Sequence, residues 1–315
     1  ARCDRDDDHR DDQGSRNDDH AEPHPPRQQS HYVTTVVADP TDHRSPRIGY
    51  FRIMSIPQRP FRFGVQARNI QSRAEWTELA RRVEATGFSC LTMPDHFDDQ
   101  LAPVPALMTA ANVTTNLRIG ALVWDNDYKH PLVLAKELAT MDVLSDGRLE
   151  LGLGAGWMIS DYEQSGMPYD SAKVRIDRFV EGLRVIRGLM GPDVFSFSGE
   201  HYTITGHNGT PKPVQAPCPP VLIGGGGKRV LTIAAREADI VGVNATMSAG
   251  VVGPDAFTTM TAEAVDEKVN IVHEAAGSRL ADIEMNIRAF LVNITPDADA
   301  AADGIASLLG VEKHM

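Results

Sequence analysis

From residue 61 onward, short apolar runs alternate with amphipathic stretches, and no other feature of this 315-residue chain constrains its fold as much. A run of four to eight apolar residues suits a buried strand, while the intervening stretches place apolar residues three and four apart, as on one face of a helix. Repetition of that pair is what a parallel sheet covered by crossover helices requires. The runs at 61–66, 90–93, 117–124, 148–154, 220–223, 239–243 and 283–292 read as strands. Helices are expected at 75–84, closed by Gly87, at 131–144, with Pro131 in the first turn, and at 172–190. The turn Ser145-Asp146-Gly147 leads directly into the fourth strand. Residues 191–220 are rich in Gly and Pro, carry a short hairpin around Tyr202-Thr203-Ile204, and read as an insertion.

Seven strands over residues 60–315 fit an α/β fold of the (β/α)8 TIM-barrel type, for which about 250 residues is typical, with the eighth strand and helix missing before Met315. Such a barrel has an open seam with two unpaired strand edges. A doubly wound open sheet needs no missing unit and stands as the alternative. Residues 1–59 have a different composition, crowded with Asp, Arg, His, Pro and Gln and without apolar periodicity. They are expected to form a disordered extension, and Met54 marks an alternative start that would leave 1–53 outside the native protein.

Charge narrows the partners. With 43 acidic against 31 basic residues the chain carries a net charge of −12, and its field repels phosphate backbones, so a small organic substrate is expected and nucleic acid is not. No run approaches the roughly 20 apolar residues of a membrane span, and the N-terminus lacks a secretory core, which points to a cytoplasmic protein with no membrane partner. Cys3, Cys90 and Cys218 have no metal-ligand spacing and suit a reducing compartment, so neither a disulfide framework nor a metal is expected.

In parallel α/β folds ligands meet the C-terminal ends of the strands. After the second strand come Asp95 and His96, a carboxylate and an imidazole suited to proton exchange, although Asp95 equally serves as a turn cap and His96 as a polar loop residue. After the third comes Trp124, either a wall for a planar ligand or a core residue. After the fourth come Gly154, Gly156 and Trp157, with Ser160, Asp161 and Tyr162 beyond them. After the fifth come Gly224, Gly225, Gly226 and Gly227, then Lys228 and Arg229 opening a helix, which offer N–H groups and positive charge to a phosphate or simply permit close packing.

In this order and spacing, Phe61-Arg62-Phe63-Gly64-Val65, Pro94-Asp95-His96-Phe97, His130-Pro131, Leu144 to Arg148 running into Gly152-Leu153-Gly154-Ala155-Gly156-Trp157, and the stretch from Pro220 to Gly227 resemble the luciferase-like monooxygenase superfamily. Within it the chain looks most like the actinobacterial branch that uses coenzyme F420, an 8-hydroxy-5-deazaflavin, with FMN as the alternative cofactor. The resemblance implies that Asp95 and His96 lie beside the reactive face of the ring, with His96 handling a proton. It implies a bulge with a non-prolyl cis peptide backing the ring within Gly120, Ala121, Leu122 and Val123, and a cofactor phosphate at Gly224–Gly227 near Lys228 and Arg229. It also implies hydride transfer between F420 and a small organic substrate. The alternatives are an FMN-dependent monooxygenase acting on paired donors with incorporation or reduction of molecular oxygen, and a non-catalytic or inactive flavin-binding paralogue. A barrel binding nucleotides or sugar phosphates rests on the glycine loop alone. Self-association as a homodimer is expected by resemblance. Trp157 stands where sugar-phosphate dehydrogenases of the superfamily carry a catalytic Glu, which argues against that reaction here.

Overall fold

Among the described residues seven strands add to one curled parallel sheet in chain order, each separated from the next by at least one helix, and an eighth, short strand joins the sheet directly after the third. The computed structural model describes residues 60–309 except 248, 249, 252 and 291. The first half runs β1 (Gly64–Gln66), α1 (Arg73–Ala85), β2 (Cys90–Met93), α2 (Pro103–Asn112), β3 (Arg118–Ala121), β4 (Trp124–Asp125), α3 (Pro131–Leu144), β5 (Leu149–Gly154), α4 (Ile159–Ser165) and α5 (Ala172–Met190). A hairpin of β6 (Phe195–Ser198) and β7 (Thr203–His207) follows. Then come β8 (Val221–Gly225), α6 (Lys228–Glu237), β9 (Ile240–Val243), α7 (Pro254–Thr258), α8 (Ala262–Ala276), β10 (Glu284–Ile287) and α9 (Ala298–Leu309). The hydrogen-bonded order is β1-β2-β3-β5-β8-β9-β10, with the short β4 also on β5. A doubly wound sheet reverses its strand order near the middle; this one never does, so the doubly wound alternative is discarded.

Local chemistry explains the elements. Ser72 caps α1 by accepting from the Glu75 N–H, Trp76, Ala80 and Val83 form its buried stripe, and Gly87 leaves it at a φ of 86°. Trp76 anchors α1 to α2 by donating its indole N–H to the Ala106 carbonyl at 2.7 Å. Every residue of β5 is buried, as befits a central parallel strand.

The structure departs from the sequence expectations in several places. The first strand begins at Gly64 and the last ends at Ile287, both shorter than their apolar runs. The third run breaks into β3 and β4. Helix α2 was masked in the sequence by Pro103 and Pro105, which sit in its first turn, where the N–H groups have no helical partner anyway. The expected extension over 1–59, the alternative start at Met54 and Cys3 lie outside the described residues. Among the described residues no helix is long and apolar enough to cross a membrane.

Among the described residues β1 and β10 are the edges of the curled sheet, and charge ties them together at their N-terminal ends. The Arg62 guanidinium donates to Glu284, which opens β10, at 2.8 Å and to Glu150 of β5 at 2.7 Å; Arg118 donates to the same Glu150 oxygen at 2.7 Å. Burial works against the Arg62 cation, but the two carboxylates outweigh it and hold its pKa above the usual arginine value. Because Arg62 is about one-third exposed, with a side-chain exposure of 32%, Arg62→Ala is expected to cost only about 1 kcal/mol in urea unfolding, with the loss shrinking in high salt.

Candidate active site

The site is built around a bulge. β3 pairs with β5 as Gly120 opposite Glu150, whereas β4 pairs with it as Trp124 opposite Leu153, a register that differs by one residue. The extra residue is accommodated at Leu122-Val123, joined by a non-prolyl cis peptide, as the resemblance implied. The bulge is held by Leu122 N–H donating to Met93 O at 2.8 Å and by the Gln66 amide donating to Leu122 O at 2.9 Å. Opposite it β5 must be glycine: a Cβ at Gly154 would stand 2.5 Å from Val123 Cγ2, and one at Gly152 would stand 2.1 Å from Ala121 O.

A cavity of about 290 Å³ opens over this bulge at the C-terminal ends of the strands. Of the residues singled out in the sequence, it brings together Asp95, His96, Leu122, Val123, Gly154, Gly156, Trp157 and Gly224 through Gly227. Gly120 and Ala121 do not line it: Ala121 is buried, and a Cβ at Gly120 would stand 2.4 Å from Glu150 O, so this glycine serves strand packing. Lys228 is exposed, and Arg229 pairs with Asp177 on the outer surface, because both leave the glycine loop on the solvent side of α6. Trp124 is 1% exposed and belongs to the core, which settles it as packing.

Asp95 is not the partner of His96. Its Oδ2 accepts the Asp125 N–H at 3.2 Å, which ties the end of β2 to β4. His96 instead pairs through Nδ1 with Asp161 Oδ2 at 2.7 Å, a residue 65 positions later in the first turn of α4. The same oxygen accepts the Tyr128 hydroxyl at 2.6 Å, and the Phe97 N–H lies 3.4 Å from Oδ1. A carboxylate taking these donors acts as an acceptor, so Nδ1 carries the proton in the neutral ring, and Nε2, with no partner among the described residues, is left to exchange one. Burial first, then the Asp125 and Asp161 carboxyls, hold the Tyr128 phenol above its ordinary range, which keeps it a donor. Trp157 stands edge-on to the imidazole with centroids 5.5 Å apart.

Below this relay lies a second acidic group. Asp127 is clamped by Arg178 through two hydrogen bonds of 2.7 and 2.8 Å and also accepts the Tyr162 hydroxyl at 3.0 Å. Asp125, 7% exposed, accepts the Asp127 N–H at 2.8 Å; burial, with the neighbouring Asp127 and Asp95 charges, pushes its pKa up to about 8. Burial also raises Asp95. Arg175, 7% exposed, lies over the Tyr169 ring at 4.1 Å, and its buried Nε has no hydrogen-bond partner among the described residues.

Comparison with known proteins gives these features a context. A profile of luciferase-like monooxygenases matches residues 54–309. An FMNH2-dependent dimethylsulfone monooxygenase of Pseudomonas putida is 27% identical over 76% of this chain and 68% of its own length. An F420-dependent glucose-6-phosphate dehydrogenase of Amycolatopsis mediterranei is 30% identical over 67% of this chain and 62% of its own. With a mycobacterial relative of unassigned role, matched over 61% of its length, these show the chain spanning roughly two thirds of the curated relatives it matches. An F420-dependent secondary alcohol dehydrogenase, 21% identical, superposes with a TM-score of 0.61 over 77% of this chain and 72% of its own. The monooxygenase RslO1 from Streptomyces bottropensis, 23% identical, superposes with a TM-score of 0.60 over 75% and 70%; both likenesses are of fold. With the curled parallel sheet, the bulge and the profile match in agreement, the chain belongs to the luciferase-like monooxygenase family.

Proposed function

We propose that this chain is an oxidoreductase that transfers a hydride between a deazaflavin of the coenzyme F420 type and a small organic substrate, with His96 handling the accompanying proton. The observation that carries the reading is the His96–Asp161–Tyr128 relay, whose His96 lines a cavity shared with the apolar bulge and the glycine loop. The walls suit such a cofactor. A Cβ at Gly227 would meet nothing within 4 Å and one at Gly224 only a carbonyl oxygen at 3.9 Å, so backbone faces free space at these two, whereas one at Gly225 would stand 2.6 Å from Val230 Cγ1 and one at Gly226 2.4 Å from Ala245 O; the Arg175 Nε, without a partner among the described residues, adds a donor. Leu122 and Val123 would hold the ring of such a cofactor, which would supply the hydride-exchanging centre. The residues do the rest. Asp161 fixes the imidazole and stabilises it when protonated, Tyr128 tethers Asp161, and Nε2 gives or takes a proton at a substrate heteroatom as the hydride moves. Trp157 narrows the cavity and contributes no acid.

A second reading, an FMN-dependent monooxygenase, is favoured by the similarity to the dimethylsulfone enzyme over 76% of the chain. Trp157 in the cavity provides the discriminating signal. Its fluorescence is expected to be quenched by F420 at concentrations at least about tenfold lower than by FMN. Tighter binding of FMN would replace the proposal by the second reading, binding without turnover would leave a flavin carrier, and quenching by neither would overturn both.

A further inference from the structure

We propose that Asp125 enters the cavity as a neutral carboxylic acid and donates a hydrogen bond to an electron-rich acceptor atom, a carbonyl oxygen or ring nitrogen, of the bound ligand. This rests on the reading that the cavity takes a flavin-type ring. Asp125 lines that cavity at the end of β4, opposite Gly154 of β5, where the bulge returns to the sheet.

The charges around it explain why the proton stays. Asp95 from the end of β2 and Asp127 from the loop after β4 flank it, and the Tyr128 and Tyr162 hydroxyls face the same cluster. Of the cations near this cluster, Arg178 of α5 is taken up by Asp127 and Asp170; Arg175 of α5 lies over the Tyr162 ring at 5.9 Å, and Lys129 and His96 act on Asp95. Among the described residues none of the ion pairs includes Asp125, so a negative charge there would be buried beside two other carboxyl groups without a cation in direct contact. Burial and those neighbours accordingly raise its pKa to about 8.

Geometry then assigns the proton to one oxygen. Oδ1 is occupied as an acceptor by the Asp127 N–H at 2.8 Å, which leaves the hydroxyl at Oδ2. The Tyr162 hydroxyl oxygen lies 3.4 Å from it and already donates to Asp127 at 3.0 Å. That separation is too long to satisfy a buried O–H, and the donor is better used by a ligand. Gly156 leaves the room that the carboxyl and the Tyr162 hydroxyl occupy: a Cβ there would stand 1.9 Å from the hydroxyl oxygen and 2.7 Å from Oδ2.

The test is a titration of F420, FMN and riboflavin across pH 6.5–9.5 with the wild type, Asp125→Asn, Asp125→Ala and His96→Gln. The wild type is expected to lose about 30-fold in affinity between the ends of that range, as one carboxyl with a pKa near 8 ionises. Asp125→Asn keeps an N–H donor that cannot ionise, so its affinity is expected to hold level. Asp125→Ala is expected to bind weakly throughout, and His96→Gln to retain the alkaline loss. An alkaline loss that persists unchanged in Asp125→Asn would overturn the role of Asp125 while leaving the cavity reading intact. Binding of none of the three ligands by the wild type at any pH would overturn the cavity reading, and the role of Asp125 with it.

Discussion

Replacing His96 by alanine is expected to lower kcat by about 10²- to 10⁴-fold, with the cofactor ligand identified by titration still binding within about threefold of the wild type. The expectation follows from what the side chain touches. Among the described residues His96 hydrogen-bonds through Nδ1, to a carboxylate that is itself 3% exposed and bonded to Tyr128, so losing the imidazole removes a proton carrier without removing a wall of the glycine loop. Asp161→Asn offers a sharper control, since the amide fills the same space but no longer stabilises a protonated ring. About 10- to 100-fold should be lost from kcat, with little change in thermal stability. If instead KM rose in both variants with kcat unchanged, His96 would be a binding group, and the proton-handling assignment would be wrong. Restoration of part of the rate in His96→Ala by added imidazole would support it directly.

How the site was and was not legible follows from these same residues. The alternation of apolar runs with helical stretches located the sheet, because burial on both faces leaves its mark on every residue of a strand such as β5. Strand ends then pointed to Asp95, His96, Gly154, Gly156, Trp157 and the glycine loop, all of which line the cavity. What local sequence could not convey is pairing between distant elements. Asp95 and His96 are adjacent in the chain, yet their side chains bond different elements, a strand and a helix, and the true partner of His96, Asp161, belongs to a seven-residue helix whose apolar signal is too brief to read. A carboxylate in the first turn of a helix just beyond a strand end was the available clue. Lys228 and Arg229 failed for a similar reason: charge next to a glycine loop says nothing about which side of the helix it leaves from, and here it leaves outward, toward Asp177. Gly120 read as a binding position, but it is required by its neighbour across the sheet.

That last distinction, between glycines that serve packing and glycines that serve the cavity, leads to the other large effect. Gly152→Ala is expected to destabilise the fold by about 3 kcal/mol, a fall in Tm of roughly 6–12 °C for a domain of this size. The added Cβ would lie 2.1 Å from the Ala121 carbonyl oxygen and 3.3 Å from Val123 Cγ1. Neither neighbour can yield easily. Ala121 leads into the cis bulge, which is pinned by Met93 O on one side and by the Gln66 side chain on the other, and Gly152 is itself paired with Leu222. The two strands must therefore separate, and the bulge that floors the cavity moves with them. Gly227→Ala is the contrasting substitution. At a φ of −89°, with nothing within 4 Å of the new Cβ, it should leave Tm within about 1 °C while narrowing the cavity and weakening ligand binding. Thermal unfolding of the two variants beside a ligand titration separates the roles: stability should fall in the first and affinity alone in the second. Equal losses of Tm in both would mean that Gly227, like Gly152 and like its neighbours Gly225 and Gly226, is glycine for packing, and the open space assigned to it would have no ligand to serve.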